Sequence, residues 1–312
     1  MIKGDRDYGN NGELDQIYSE LKEFIPLYGW PKWPPKEVPS NSEWYKNQKY
    51  ILPKKPHMPQ NCFITIDGTP HAGKTSTSEI FASNYQISDK HKLVQINPDN
   101  LYVTGAGGIM YFALDQIFPS SEDELPTLME KNDWVTNLWH QFTKQLYWEK
   151  RIHELIQSAK VEKTSLTLGQ RGPVDQTIFC YAHLTHTTDP DFTIPTDQIQ
   201  FAQDQYLQTF IGSQCLVQFL DSVIFIGTDK NEALQRRKCM NLTQKGIANS
   251  PFFEDYSAWI GYWIENVWLN LYDIHGTGLL VLDGTKSIDE NIEILSTYIN
   301  ESKRICLPDT NR

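Results

Sequence analysis

Phe63-Ile64-Thr65-Ile66-Asp67-Gly68-Thr69-Pro70-His71-Ala72-Gly73-Lys74-Thr75-Ser76 is the stretch on which the reading of the whole chain turns. Its first four residues are aromatic or β-branched, which suits a short buried strand ending at Asp67-Gly68. From Gly68 to Thr75 the residues satisfy G-x-x-x-x-G-K-[ST], the Walker A form, and a helix pattern follows from Ser76 to Tyr85. Strand, glycine loop and helix in that order are the context this motif requires. Glycines let the backbone close around a phosphate so that successive N–H groups point inward, and the helix N-terminus adds partial positive charge there. Lys74 is then expected to reach the β and γ phosphates, and the Thr75 hydroxyl to ligate Mg²⁺. Gly68, His71, Ala72, Gly73, Lys74, Thr75 and Ser76 are the expected nucleotide-binding positions, for ATP or another nucleoside triphosphate. The plain alternative is a glycine turn that only joins strand to helix. For His71 the simpler reading is a solvent-facing loop side chain.

Outward from the loop, strand-like and helix-like segments alternate. Lys92 to Ile96, Ser165 to Leu168, Ser222 to Ile226 and Leu279 to Leu282 read as further strands. A long amphipathic helix pattern runs from about Asp133 to Lys160. Short apolar strands alternating with helices predict an α/β fold with a parallel sheet covered on both faces. Residues 1–60 differ: one short amphipathic helix pattern from Leu14 to Ile25 precedes a run dense in proline and tryptophan, Pro26 to Trp44. Such proline density forbids regular helix or central strand. The tryptophans are expected to clamp the segment onto the main domain, with a partner-binding strip as the alternative. The expected organisation is a Pro/Trp-rich extension over 1–60, one domain over 61–306 and a tail over 307–312.

The 312 residues carry 28 basic and 39 acidic side chains, a net charge of −11. That balance argues against broad electrostatic binding to nucleic acid, while leaving room for a local anion pocket. No apolar run approaches the roughly 18 residues of a membrane span, and the N-terminus has no apolar core of a secretory signal. Five widely spaced cysteines without a C-x-x-C pair are the usage of a reduced, cytoplasmic protein, so a cytoplasmic location with no membrane partner is expected.

Asp221-Ser222-Val223-Ile224-Phe225-Ile226-Gly227-Thr228 followed by Glu232-Ala233-Leu234-Gln235-Arg236-Arg237-Lys238 resembles the fourth strand and lid helix of P-loop nucleoside and nucleotide kinases, the deoxynucleoside kinase and thymidylate kinase group above all. Three further places are similar: Asn97-Pro98-Asp99-Asn100 after the second strand, where the family carries a Pro-Glu-Pro run whose glutamate is the base; Gln170-Arg171 at the end of the third, where it has a Glu-Arg-Ser or Asp-Arg pair; and Val281-Leu282-Asp283-Gly284-Thr285 at the fifth, whose following loop touches the adenine. The resemblance spans roughly residues 61 to 304, with only the P-loop highly specific. It implies a three-layer α/β/α P-loop NTPase fold around a five-stranded parallel sheet. It also implies an ATP- and Mg²⁺-dependent kinase whose acceptor is a small molecule, a nucleoside or nucleoside monophosphate.

On this reading Lys74, Asp99, Arg171 and Arg236 are the expected catalytic residues. Asp99 is either the base that takes the acceptor proton or a turn former. Arg171 grips a phosphate or sits in a surface turn. Arg236 and Arg237 close over the phosphates or belong, with Lys238, to a solvated helix face. Asp175 pairs with Arg171, supports Mg²⁺ together with Thr75, or favours a helix start. Tyr102 and Trp139 stack on a planar acceptor or lie in a core. Two departures from the family pattern stand out. Cys239-Met240-Asn241 replaces further lid arginines, and neutral Gln170 replaces the acidic residue that helps hold the metal or its water. These departures keep open a nucleotide-binding regulator or hydrolase without an acceptor; a kinase for a hydroxyl within nucleic acid is a third reading, against which the net charge of −11 argues. Cys180-x-x-His183-x-x-His186 has soft-ligand residue types but lacks a fourth ligand at regular spacing.

Overall fold

The computed structural model describes residues 29–58, 60–85, 92–96, 145, 148–157, 165–185, 194, 198–236 and 252–307. The expectations for Asp99, Tyr102, Trp139, His186, Arg237, Lys238, Cys239 and the 14–25 helix lie outside these residues. The described elements run β1 (Tyr50–Ile51), β2 (Asn61–Gly68), α1 (Lys74–Asn84), β3 (Lys92–Ile96), β4 (Ser165–Gln170), α2 (Pro173–Thr185), α3 (Ile199–Val217), β5 (Ser222–Gly227), α4 (Lys230–Arg236), α5 (Phe252–Tyr262), a π-helical turn (Trp263–Val267), α6 (Trp268–Ile274), β6 (Gly278–Asp283) and α7 (Ile288–Cys306).

The sheet order is β1-β6-β5-β2-β4-β3. Five strands are parallel, with Ile66 of β2 opposite Gln170 of β4 on one side and Ile224 of β5 on the other. The expected five-stranded sheet is therefore corrected to six strands. Tyr50–Ile51 adds antiparallel to β6, pairing Tyr50 with Leu280 and Ile51 with Leu279. Among the described residues the extension over 1–60 thus pairs with the sheet at its edge, where a chain rich in proline can pair. The Tyr298 hydroxyl of α7 donates to the Ile51 carbonyl at 2.8 Å and helps close that edge.

Strand alternation sorts the core into two layers. Phe63, Val223, Phe225, Leu279 and Val281 face one cluster with Trp44, Trp148, Val174, Tyr206 and Trp263. Ile64, Ile66, Ile224, Ile226, Leu280 and Leu282 face another with Phe81, Leu295 and Ile299. Helices therefore cover both faces, a three-layer α/β/α arrangement. Chain connections leave β2 toward β3 and leave β5 toward β6, on opposite sides, so the topological switch point falls at the carboxyl ends of β2 and β5.

Trp30 stacks on Tyr181 at 5.0 Å between ring centres, and Trp33 lies 5.4 Å from Phe210. Trp44 donates its indole N–H to Ser257 Oγ at 3.1 Å and packs against Phe225. A Cβ on Gly227 would stand 2.5 Å from that indole, so the strand gives up a side chain where the ring enters. Trp44→Ala is expected to lower the unfolding free energy in urea by about 3–5 kcal/mol, the usual cost of emptying a large aromatic site. A loss under about 1 kcal/mol would mean that this indole contributes little to holding residues 30–46 on the sheet.

Candidate phosphate-binding site

β2 runs straight into the glycine loop. Gly68 has φ +127°, and a Cβ there would sit 2.0 Å from the Ile226 carbonyl oxygen, so only glycine lets β5 come this close. The loop is tied to β5 on both sides: Thr69 N–H donates to Ile226 O at 3.2 Å, and Thr69 Oγ1 accepts from Thr228 N–H at 3.0 Å. His71 (φ 61°) and Gly73 (φ 91°) are both left-handed, and alternation of this kind turns backbone amides to one side. Gly73 is the N-cap of α1, whose dipole adds positive character at the loop. Lys74 is buried at the start of α1 and donates from Nζ to Gly68 O at 2.8 Å and Thr69 O at 2.6 Å. The ammonium therefore lies over the loop it follows. Ala72 is buried behind the loop, while Thr75 and Ser76 are exposed on the first helical turn.

Thr75 Oγ1 donates to Gln170 Oε1 at 3.1 Å, and Gln170 Nε2 donates to Ser78 Oγ. The neutral amide thus occupies the end of β4 next to the helix and uses both of its ends. Beyond Gln170 the chain continues the ladder for one more bond, Arg171 N–H to Ile66 O at 3.3 Å. It then turns at Arg171, whose φ of 50° is uncommon for a residue with a side chain. Three contacts impose the turn. Gly172 N–H donates to Asp67 Oδ1 at 2.7 Å, the Trp148 indole donates to Arg171 O at 2.8 Å, and a Cβ on Gly172 would meet Thr65 at 2.6 Å. Pro173 then opens α2, where its missing N–H costs nothing.

This turn gathers charges. Arg171 Nη1 is 3.7 Å from Asp175 Oδ2, and the buried Tyr256 hydroxyl of α5 donates to Asp175 Oδ1. Asp67 is fully buried and receives Thr65 Oγ1–H at 3.2 Å besides the Gly172 amide. Burial, and then the Asp175 charge, push its carboxyl above the ordinary range; Gly172, Thr65 and the Lys74 ammonium oppose the shift. Burial and Asp175 likewise hold the Tyr256 phenol well above its usual value. Asp67 and Tyr256 are the members of this group that sequence reasoning did not place. Nothing in spacing connects residue 256 to residue 175.

Arg236 at the end of α4 donates from Nε to Glu232 Oε1 at 2.9 Å and from Nη2 to the Gly284 carbonyl after β6. A Cβ on Gly73 would lie 3.8 Å from Arg236 Nη1, which places this guanidinium beside the loop. The structure thus brings Lys74, Thr75, Gln170 and Arg236 around one loop, and Arg171 with Asp175 next to it. Thr75 and Asp175 have different partners: the threonine bonds Gln170, while the aspartate holds Tyr256 and Arg171. His183 packs among Phe179, Tyr206 and Phe252, and Cys180 is buried in the core.

The raised Asp67 carboxyl makes the stability of the fold depend on pH. Well below the carboxyl range both folded and unfolded chains hold this proton. As pH rises, the unfolded chain releases it first, so the folded state loses relative stability toward neutrality. Asp67→Asn, which keeps acceptor and shape, is expected to flatten the fall in Tm between about pH 4 and 7. A Tm profile parallel to that of the unaltered protein would mean that Asp67 is ionised in the fold.

Among solved structures, the chain is similar to the deoxyadenosine kinase from M. mycoides with bound dATP, at 17% identity and a TM-score of 0.42, covering 76% of this chain and 99% of that one. No family model matches the chain. No curated protein matches it either.

Proposed function

We propose that this chain is a phosphotransferase that moves the γ-phosphoryl group of ATP, with Mg²⁺, to a hydroxyl or phosphate of a small acceptor, a nucleoside or nucleoside monophosphate. The observation that carries the reading is Lys74 Nζ, held over a left-handed glycine loop at the carboxyl end of β2 by two loop carbonyls. An ammonium and inward amides at the mouth of a parallel sheet are what a polyphosphate needs.

A Mg²⁺ site can be tested against the side chains present. Thr75 Oγ1 and Gln170 Oε1 are 3.1 Å apart, close to the ~3.0 Å that separates neighbouring oxygens around an octahedral ion with bonds of about 2.1 Å. Thr75 and Gln170 would hold a Mg²⁺ from this side, with weaker hold than a carboxylate would supply. When bound, the ion would offset charge on the β and γ phosphates. Lys74 binds the same phosphates by turning part of its three-donor ammonium from the loop carbonyls outward. Arg236, steadied by Glu232 and Gly284 O, offsets charge on the donor side. Arg171, oriented through Asp175 and Tyr256, does so on the acceptor side. Asp99 accepts the proton of an acceptor hydroxyl as its oxygen bonds to phosphorus and the bond to ADP breaks. Arg237 joins the lid.

A second reading, a nucleotide-dependent switch that transfers nothing, draws on the neutral Gln170. Both readings meet in one assay: ADP release measured against a panel of nucleosides, nucleoside monophosphates and short oligonucleotides. Acceptor-stimulated release is the expected result, and acceptor-independent release would favour the switch. Lys74→Ala should abolish ATP binding by calorimetry, and retained binding would sink both readings. Asp99→Asn should lower turnover about 10²-fold or more. Gln170→Glu should lower the Mg²⁺ concentration needed for half-maximal rate, since it adds charge to a hard-oxygen site.

A further inference from the structure

The opposite end of the sheet holds a second cluster that phosphate chemistry does not use. Cys62 is the second residue of β2, Asp221 immediately precedes β5, and Cys306 is the last residue of α7. Six residues of strand separate Cys62 from Gly68, which puts this cluster about 20 Å from the loop. All three residues are buried, and their sulfur and carboxylate atoms lie within 4.8 Å of one another. We propose that Cys62, Cys306 and Asp221 form a structural site for a thiophilic d¹⁰ cation of the zinc class, which staples the C-terminal helix to the strand that carries the glycine loop.

Three observations point the same way. First, the spacing is suitable. A tetrahedral zinc with sulfur bonds of about 2.3 Å and an oxygen bond of about 2.1 Å sets its ligands roughly 3.6–3.8 Å apart, so a contraction of about 1 Å seats these three, with the fourth position left to a water. Second, the carboxylate is already held in place. His57 N–H donates to Asp221 Oδ1 at 2.8 Å, His57 Nδ1 lies 2.8 Å from the same oxygen, and Phe63 N–H donates to Oδ2 at 2.7 Å. The other ring nitrogen of His57 is fixed by the His275 carbonyl at 2.6 Å. A ligand oriented by an outer ring of hydrogen bonds is the usual build of a metal site, and Oδ2, which accepts one such bond, keeps lone-pair capacity. Third, the donor set selects. Two thiols with one carboxylate suit zinc far better than magnesium or calcium, so the cluster does not duplicate the cation chemistry at the glycine loop.

A disulfide between the same sulfurs is the competing use of the pair. The third vertex speaks against it, because a disulfide leaves the Asp221 carboxylate, held at the same point, without a part. A cation that binds the folded chain alone raises its stability, and here it would act on β2, β5 and α7 together.

The test uses the full chain, purified without chelators or metal-affinity resin. Elemental mass spectrometry is expected to find about one zinc per chain, and a zinc titration against a chromophoric chelator should return the same stoichiometry after stripping. Cobalt put in its place should give sulfur-to-metal charge-transfer absorption, which Cys306→Ser abolishes while far-ultraviolet circular dichroism stays unchanged. Three results would overturn the proposal: less than about one tenth of an equivalent bound by the unaltered protein, equal zinc in Cys306→Ser, or a Cys62–Cys306 disulfide found by mass in the protein as purified. The stoichiometry of the unaltered chain decides the matter even where a variant fails to fold.

Discussion

The approach of β5 to β2 at Gly68 is the constraint on which the rest of the site depends. At φ +127° this residue lets the Ile226 carbonyl come within 2.0 Å of where a side chain would begin. Thr69 then bonds backward to Ile226 and sideways to Thr228, so the loop is clamped by a strand more than 150 residues away in sequence. A glycine loop without that clamp would be a flexible turn whose amides point nowhere in particular. With it, Lys74 has two carbonyls to rest on, and α1 begins at a fixed place.

The carboxyl end of β4 shows how a buried charge group can shape backbone. Asp67 and Asp175 lie close enough that the charge of one raises the proton affinity of the other. The fold answers with donors: the Gly172 amide, Thr65, Tyr256 and the Arg171 guanidinium. Holding Arg171 in a left-handed conformation costs roughly 1–2 kcal/mol, and the hydrogen bonds on both sides of it offset that cost. The outcome is an arginine whose direction is set by the surrounding protein.

The two core layers treat the N-terminal segment differently from a loose extension. Trp30 and Trp44 are buried with the helices of one face, and the antiparallel pair formed by Tyr50–Ile51 closes the sheet beside β6. Gly227 and Gly261 leave room for the Trp44 ring. The strand that leads to the glycine loop is thus packed from one side by residues that precede it, and from the other by α1 and α7.

Local chemistry determined what could be read from the chain alone. A β-branched run, two glycines at fixed spacing and Lys-Thr at a helix start act within a dozen residues, so Phe63 to Ser76 announced strand, cradle and helix without help from elsewhere. The alternation of apolar runs likewise announced an α/β sheet. Tertiary structure alone decided the sixth strand, because two residues of edge pairing leave no periodic signal. It also decided the Asp67–Arg171–Asp175–Tyr256 group and the meeting of Cys62, Asp221 and Cys306. Those side chains are brought together by strand order and helix packing, and spacing along the chain carries no information about partners that only the fold makes neighbours.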